Sequence, residues 1–179
     1  MKTTYIVGTA IMAAAFGIHA QSGPSDAQIA AIVVAANQVD INAGKLAQSK
    51  ASNAEVKDFA KTMVTDHTAV NKQATDLVTK LKVKPEENPT SKSLKDNGKQ
   101  TGERLKKLKG AEFDKAYVDN EVAYHQAVLD AVDKVLIPNA KNQELNALLV
   151  KVRPAFVAHL EHAKHLQASL DKHAALGNR

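Results

Sequence analysis

Four long stretches of this chain repeat apolar residues every three or four positions, and none alternates apolar with polar. That period marks one buried face on an α-helix, so the chain must pack helix against helix. The first stretch runs from about Ser25 to Lys50 along Ile29, Ile32/Val33, Ala36, Val39, Ala43 and Leu46/Ala47, with Ser25 as the N-cap. The second, from about Asn53 to Val83, carries Val56, Phe59/Ala60, Met63/Val64, His67, Val70, Ala74 and Leu77/Val78, and ends ahead of Pro85 and Pro89. The third runs from about Ala111 to Ile137 and stops before Pro138. The fourth runs from about Ala140 to Ala174, with a kink expected at Pro154. Between the second and third, residues 90–109 are polar and Lys-rich, with a sparse row at Leu94, Leu105 and Leu108; they read as a weak helix ending at Gly110.

The connections constrain how four such helices pack. The first and second are joined by about two residues, which makes them antiparallel neighbours, and so are the third and fourth. The middle connection, Lys84 to Gly110, is 27 residues. A 25-residue helix is ~37 Å long, a length this connection can retrace. The expectation is an all-α, four-helix bundle with a long, partly helical crossover that lets helices two and three run parallel. Of the 179 residues, 44% are apolar, 8 are Gly and 5 are Pro, which fits one globular domain and argues against a turn-rich β architecture. With no Cys, disulfides, thiolate metal sites, c-type haem and a thiol nucleophile are excluded. No phosphate-binding Gly-rich loop or Ser-His-Asp order stands out.

The first 22 residues, MKTTYIVGTAIMAAAFGIHAQS, place Lys2 before an apolar run from Tyr5 to Ile18 and a small residue at Ala20. That is the pattern of a secretory signal over residues 1–20, leaving residues 21–179 as the bundle domain. The apolar run is shorter than the ~20 residues of a membrane span, which favours a cleaved signal and a soluble periplasmic protein over the alternative, an uncleaved anchor. Losing Lys2 takes the net charge from +5 to +4. The excess gathers between Lys92 and Lys109 without interleaved aromatics, which reads as a solvated helix face rather than a nucleic-acid surface. No partner is identifiable from the sequence, and a homo-oligomer is left open.

Titratable groups avoid buried rows, yet each of the four rows carries one. Asp40, His67, His125 and His159 each sit among apolar neighbours one turn away. In the crossover topology His67 and His125 both lie ~21 Å from the end where helices two and three begin. Asp40 lies ~16 Å from it, and His159 falls within one or two turns. Three imidazoles and a carboxylate meeting in a bundle core suit one divalent metal ion, Zn²⁺, Fe²⁺ or Mn²⁺. Asp66, beside His67, and Glu121, one turn before His125, are placed to orient a ring or join the site. A buried His/Asp hydrogen-bond network that only fixes core packing is the other reading. His162, His165 and His173 are offset and read as solvent-facing or at a bundle edge. Met63, Phe59, Phe113, Tyr117 and Phe156 read as core.

The run Asp40-Ile-Asn-Ala-Gly44-Lys-Leu-Ala47, the step Met63-Val-Thr-Asp66-His67, the step Phe113-Asp-Lys-Ala-Tyr117 with His125 beyond it, and Pro154 with His159-Leu160 resemble the exported bacterial proteins catalogued as domain of unknown function 4142. The resemblance spans about Ser25 to Leu170. It implies export and a ferritin-like bundle, and it brings no established activity. The chain departs from that family at Asp40, where Glu is usual, and at Tyr124, where Asp is usual. The paired Glu-x-x-His steps of di-iron bundles are absent, so iron storage or oxidase chemistry does not follow from the fold. The expected function is metal handling or envelope stress protection around a core metal. A metal-free interaction module and a metal-using enzyme are the alternatives.

Overall fold

The computed structural model describes residues 23–177. The expected signal segment lies outside them. The described residues form helices joined by loops, with no strand among them. Helix α1 spans Asp26–Lys50, α2 Ala54–Lys80, α3 Pro89–Lys106 and α4 Gly110–Ala131. A π-helical turn at Val132–Leu136 and a short α5, Ile137–Asn139, lead to α6, Gln143–Gly177.

The N-termini are set by local chemistry. Ser25 and Gln28 form a reciprocal capping box, each side chain bonding the other's backbone N–H. Asn53 accepts from the N–H groups of Glu55 and Val56, and Asn88 caps α3 ahead of Pro89. At the end of α2 the N–H of Val83 bonds the carbonyl of Val78, which wraps the last turn and leaves Lys82 at φ 54°.

Two boundaries differ from the expectation. Gly110, at φ 54°, opens α4 rather than closing α3, which ends at Lys106. Pro138 does not stop the third long helix ahead of itself. Its missing N–H cannot close an α-turn onto Lys134, and the backbone widens into the π-turn just before it and runs on to Asn139. Pro154 lies inside α6, as expected, and the helix continues past it. It is on the exposed side, as is Val150, the residue whose carbonyl loses its helical donor, so water can take that place.

The crossover topology is fixed by contacts at both ends. Asp114, in the first turn of α4 and buried, accepts from the N–H groups of Ser52 and Asn53, each at 2.9 Å, and from the Ser52 hydroxyl. Helix α4 therefore begins at the turn where α2 begins, and the two run parallel. At the other end Asp26 accepts from the N–H groups of Lys141 at 2.9 Å and Asn142 at 3.0 Å, tying the α5–α6 loop to the start of α1. Helix α3 returns along α1 and closes the crossover. Gly98 lets it approach, since a Cβ there would stand 2.7 Å from Val39 Cγ2.

The core is built in apolar blocks. Phe59, Met63, Phe113, Tyr117 and Leu166 fill the end nearest the α1–α2 turn, and Ile29, Ile32, Leu136, Leu145 and Leu149 fill the other. Val70, Leu129, Val152, Phe156 and Leu160 form a third block. On α1 the buried face is Ile29, Val33, Asn37, Asp40, Ile41, Gly44 and Ala47, while Ala36, Val39 and Ala43 turn half-buried toward α3. Asp114→Ala should lower unfolding free energy by about 1–3 kcal/mol, because it removes the acceptor from two part-buried N–H groups. Urea unfolding measures this; a loss below about 0.5 kcal/mol would show that the clamp is dispensable.

Candidate metal centre

Asp40, His67, His125 and His159 come together from four different helices at mid-bundle. The three imidazoles form a near-equilateral triangle, with ring centroids 5.6 Å apart for His67–His125, 5.3 Å for His67–His159 and 5.5 Å for His125–His159. One nitrogen of each lies within 4.8 Å of the other two. Asp40 Oδ2 stands 3.3 Å from His67 Nε2 and 3.5 Å from His125 Nε2. All four side chains are buried, and Phe156 stacks on the His67 ring at 5.4 Å.

Hydrogen bonding fixes which nitrogen of each ring carries the proton. The Asn37 amide donates to the Val33 carbonyl at 2.8 Å, so its oxygen faces His67 Nδ1 at 2.7 Å and accepts from it. His67 is therefore protonated on Nδ1 and bare on Nε2. His125 Nδ1 donates to the backbone carbonyl of Glu121 at 3.0 Å, which leaves its Nε2 bare. His159 Nε2 donates to Asp66 Oδ2 at 2.9 Å, which leaves its Nδ1 bare. Each ring spends its one N–H on an acceptor behind it.

What remains faces a common interior. His67 Nε2, His125 Nε2, His159 Nδ1 and both oxygens of Asp40 are buried without a hydrogen-bond partner. Glu121 Oε2, 3.5 Å from His125 Nδ1, is buried and unpartnered as well. The three ring nitrogens are acceptors, and so are the carboxylates when ionised; the Tyr117 hydroxyl is buried and unpartnered too. Buried polar groups are otherwise almost always satisfied, and this set has the ligand chemistry to hold a cation.

Burial shapes the titration of every group. It raises the Asp40 carboxyl to about 7 and pushes Glu121 well above the carboxylate range, with the Asp40 charge adding to the latter. It lowers His67 to about 2, helped by the neighbouring His125 and His159, and His125 to about 4. His159 is lowered too, by burial that the Asp66 bond partly offsets. The rings stay neutral at physiological pH, which is the form that ligates a metal.

Of the two acids expected near the rings, Asp66 orients His159 across the α2–α6 seam, not the adjacent His67; successive helix positions face different ways. Glu121 holds His125 through its backbone carbonyl, and its carboxylate lies with Asp40 and His125 in a second group whose ligand atoms are within 4.8 Å of one another. Asn37 was not among the sequence candidates. Its only signal is its place one turn before Asp40. His162 is exposed with its ring edge-on to Phe59, as expected of a bundle-edge residue.

The family model described as Domain of unknown function (DUF4142) matches residues 12–166. The chain belongs to that family. No curated protein matches it. Among solved structures, "CopM in the Cu(II)-bound form" is similar with a TM-score of 0.65 at 15% identity, covering 82% of this chain and 98% of that one. At that identity the likeness is one of fold, and it agrees with the all-helical bundle. Among the described residues no helix is long and apolar enough to cross a membrane.

Asp40 has a folded-state pKa above its unfolded value, so it favours folding below pH 3.8, and that contribution is lost as pH rises to about 7. Asp40→Asn removes this dependence and supplies an N–H donor. In metal-free protein the variant should gain stability relative to wild type between pH 5 and pH 8, by roughly 2 kcal/mol. Urea unfolding at the two pH values checks the sign; a gap that is constant or narrows would contradict it.

Proposed function

We propose that the mature chain is an exported metal-binding bundle that holds one divalent transition-metal ion through His67, His125, His159 and Asp40. The observation that carries this is the cluster of five buried, unpartnered atoms, three ring nitrogens and the two Asp40 oxygens, with at most one proton among them. A single Asp40 proton cannot serve three ring lone pairs, whereas a cation serves them all. Asn37, Asp66 and the Glu121 carbonyl orient the three rings, the outer support that metal-ligating histidines use. Neutral imidazole and carboxylate suit Zn²⁺, Fe²⁺ and Mn²⁺. The affinity order of divalent metals and the Cu(II)-bound fold neighbour add Cu²⁺.

The bundle would act in metal handling or envelope stress protection after removal of residues 1–20 and release into the periplasm. The apolar N-terminal run and the absence of Cys support that setting. Glu121 stands beside His125, where it balances the charge of an occupied centre.

Untagged mature protein grown with Zn, Fe, Mn and Cu should carry about one metal ion per chain by elemental analysis, and chelation should lower its melting temperature. His67→Ala and His159→Ala should each abolish stoichiometric loading. Asp66→Ala should weaken affinity by about 10–100-fold, by loosening His159. Metal should leave as pH falls below about 7, where a proton first competes for Asp40; the buried rings of His125 and His67, lowered to about 4 and about 2, take protons only in stronger acid. Wild-type protein without stoichiometric metal, or His67→Ala that lowers stability at unchanged metal content, would instead identify a packing network.

A further inference from the structure

A cavity of about 380 Å³ opens between α3 and α4 over the floor of α1 and reaches the centre. Thr90, Asn97 and Thr101 on α3 and Asn120 and Ala127 on α4 line its outer part, while its inner wall includes His67, His125, Asn37 and Leu149. The inner residues are between 1% and 3% exposed, so the cavity runs from open solvent into the sealed core. It is roomy because small side chains line it where helices would otherwise interdigitate: Ala36 and Ala43 on α1, and Ala123, Ala127 and Ala131 at successive turns of α4.

Charge divides the two sides of α3. The groove on its other side is lined by Glu87, Lys95, Lys99, Glu103 and Lys106. The cavity has no Asp, Glu, Lys or Arg in its lining. An ion would enter it with no countercharge, whereas an uncharged apolar molecule would trade water for Leu94, Val128, Val132 and Phe156. At the inner end, His67 and His125 each keep a buried, unpartnered Nε2.

We infer that this cavity is a binding site for an uncharged, mainly apolar small molecule, on the order of ten to twenty non-hydrogen atoms, with one lone-pair donor at its inner end. The apolar body occupies the space between α3 and α4. The donor reaches the His67–His125 side of the centre and completes the coordination of a metal held there. Only that last contact rests on the metal reading; the cavity and its apolar occupant stand without it.

Two probes separate the claims. The neutral dye N-phenyl-1-naphthylamine, titrated into metal-free full-length mature protein, should bind saturably at one dye per chain with enhanced fluorescence. Ala127→Phe fills the cavity from α4, and Thr101→Trp blocks its rim from a half-exposed position without touching the core. Each should weaken dye binding more than about tenfold. Ala147→Phe, in a separate groove beside Gln73 and Lys151, should leave it unchanged. Absent saturable binding to wild type, or wild-type binding by both folded blocking variants, overturns the site.

In Co²⁺-loaded protein, 4-phenylimidazole at pH 8 should shift the visible absorption of the metal in wild type and not in Thr101→Trp. A shift in both variants, or in neither, overturns the contact with the centre. Protein that takes up no Co²⁺ and still binds the dye would defeat the metal reading and leave the cavity assignment supported.

Discussion

Three imidazoles can share a core with a carboxylate only if their protons point away from each other, and in this bundle each ring's single N–H is engaged from behind. Asn37 holds His67, the Glu121 carbonyl holds His125, and Asp66 holds His159. Those three bonds leave bare lone pairs facing Asp40. The arrangement is expensive in a low-dielectric interior, because it concentrates unpaired acceptors where water is excluded. Fold stability must therefore come from elsewhere, and the apolar blocks at either end of the bundle supply it. The centre is tolerated by the fold rather than responsible for it, which is the usual relation between a functional site and its scaffold.

Helix phase delivers the four side chains. Each occupies a position where 3.6-residue geometry demands an apolar group, so a polar residue there has no route to solvent except by distorting the helix. The Asp114 and Asp26 clamps then set the helices' relative heights, since one ties the start of α4 to the α1–α2 turn and the other ties the α5–α6 loop to the start of α1. A slip of one turn in α4 would move His125 by ~5.4 Å and take its Nε2 out of reach of Asp40. Register at the bundle ends and geometry at its middle are one constraint.

This explains what could be seen in the sequence. The apolar rows of α2 and α4 are the buried rows, and the four polar interruptions share a height because helix lengths and connections fix it. Other features depend on contacts that periodicity does not encode. Asn37 takes its role only from the packing of α2, which brings His67 Nδ1 to its amide oxygen. Asp66 adjoins His67 in the chain but faces α6, where it meets His159. On α1 the buried face is rotated toward Asn37 and Ile41, because α3 covers the Ala36–Val39–Ala43 side as a further layer. Pro138, read as a breaker, is accommodated instead by a widened turn, while Pro154 lies within a continuous α6 with its affected backbone on the exposed side.

The two sides of the centre are chemically unlike. Toward the α2–α6 seam, His159 meets Asp66, whose side chain is 44% exposed, so a partly hydrated carboxylate stands over one edge of the triangle. A hydrated cation approaching there meets a favourable charge before it loses water. Toward α3, the wall around His67 and His125 is apolar and uncharged, and a cation gains nothing by crossing it. An ion and an uncharged molecule would thus approach the same rings from opposite directions, separated by their solvation rather than by their size. The weak helix α3 supplies this distinction: its charged face is turned outward, its neutral face inward, and Gly98 sets how close it comes to α1. A crossover that had only to connect α2 with α4 would need neither the sorted faces nor the hollow beneath them.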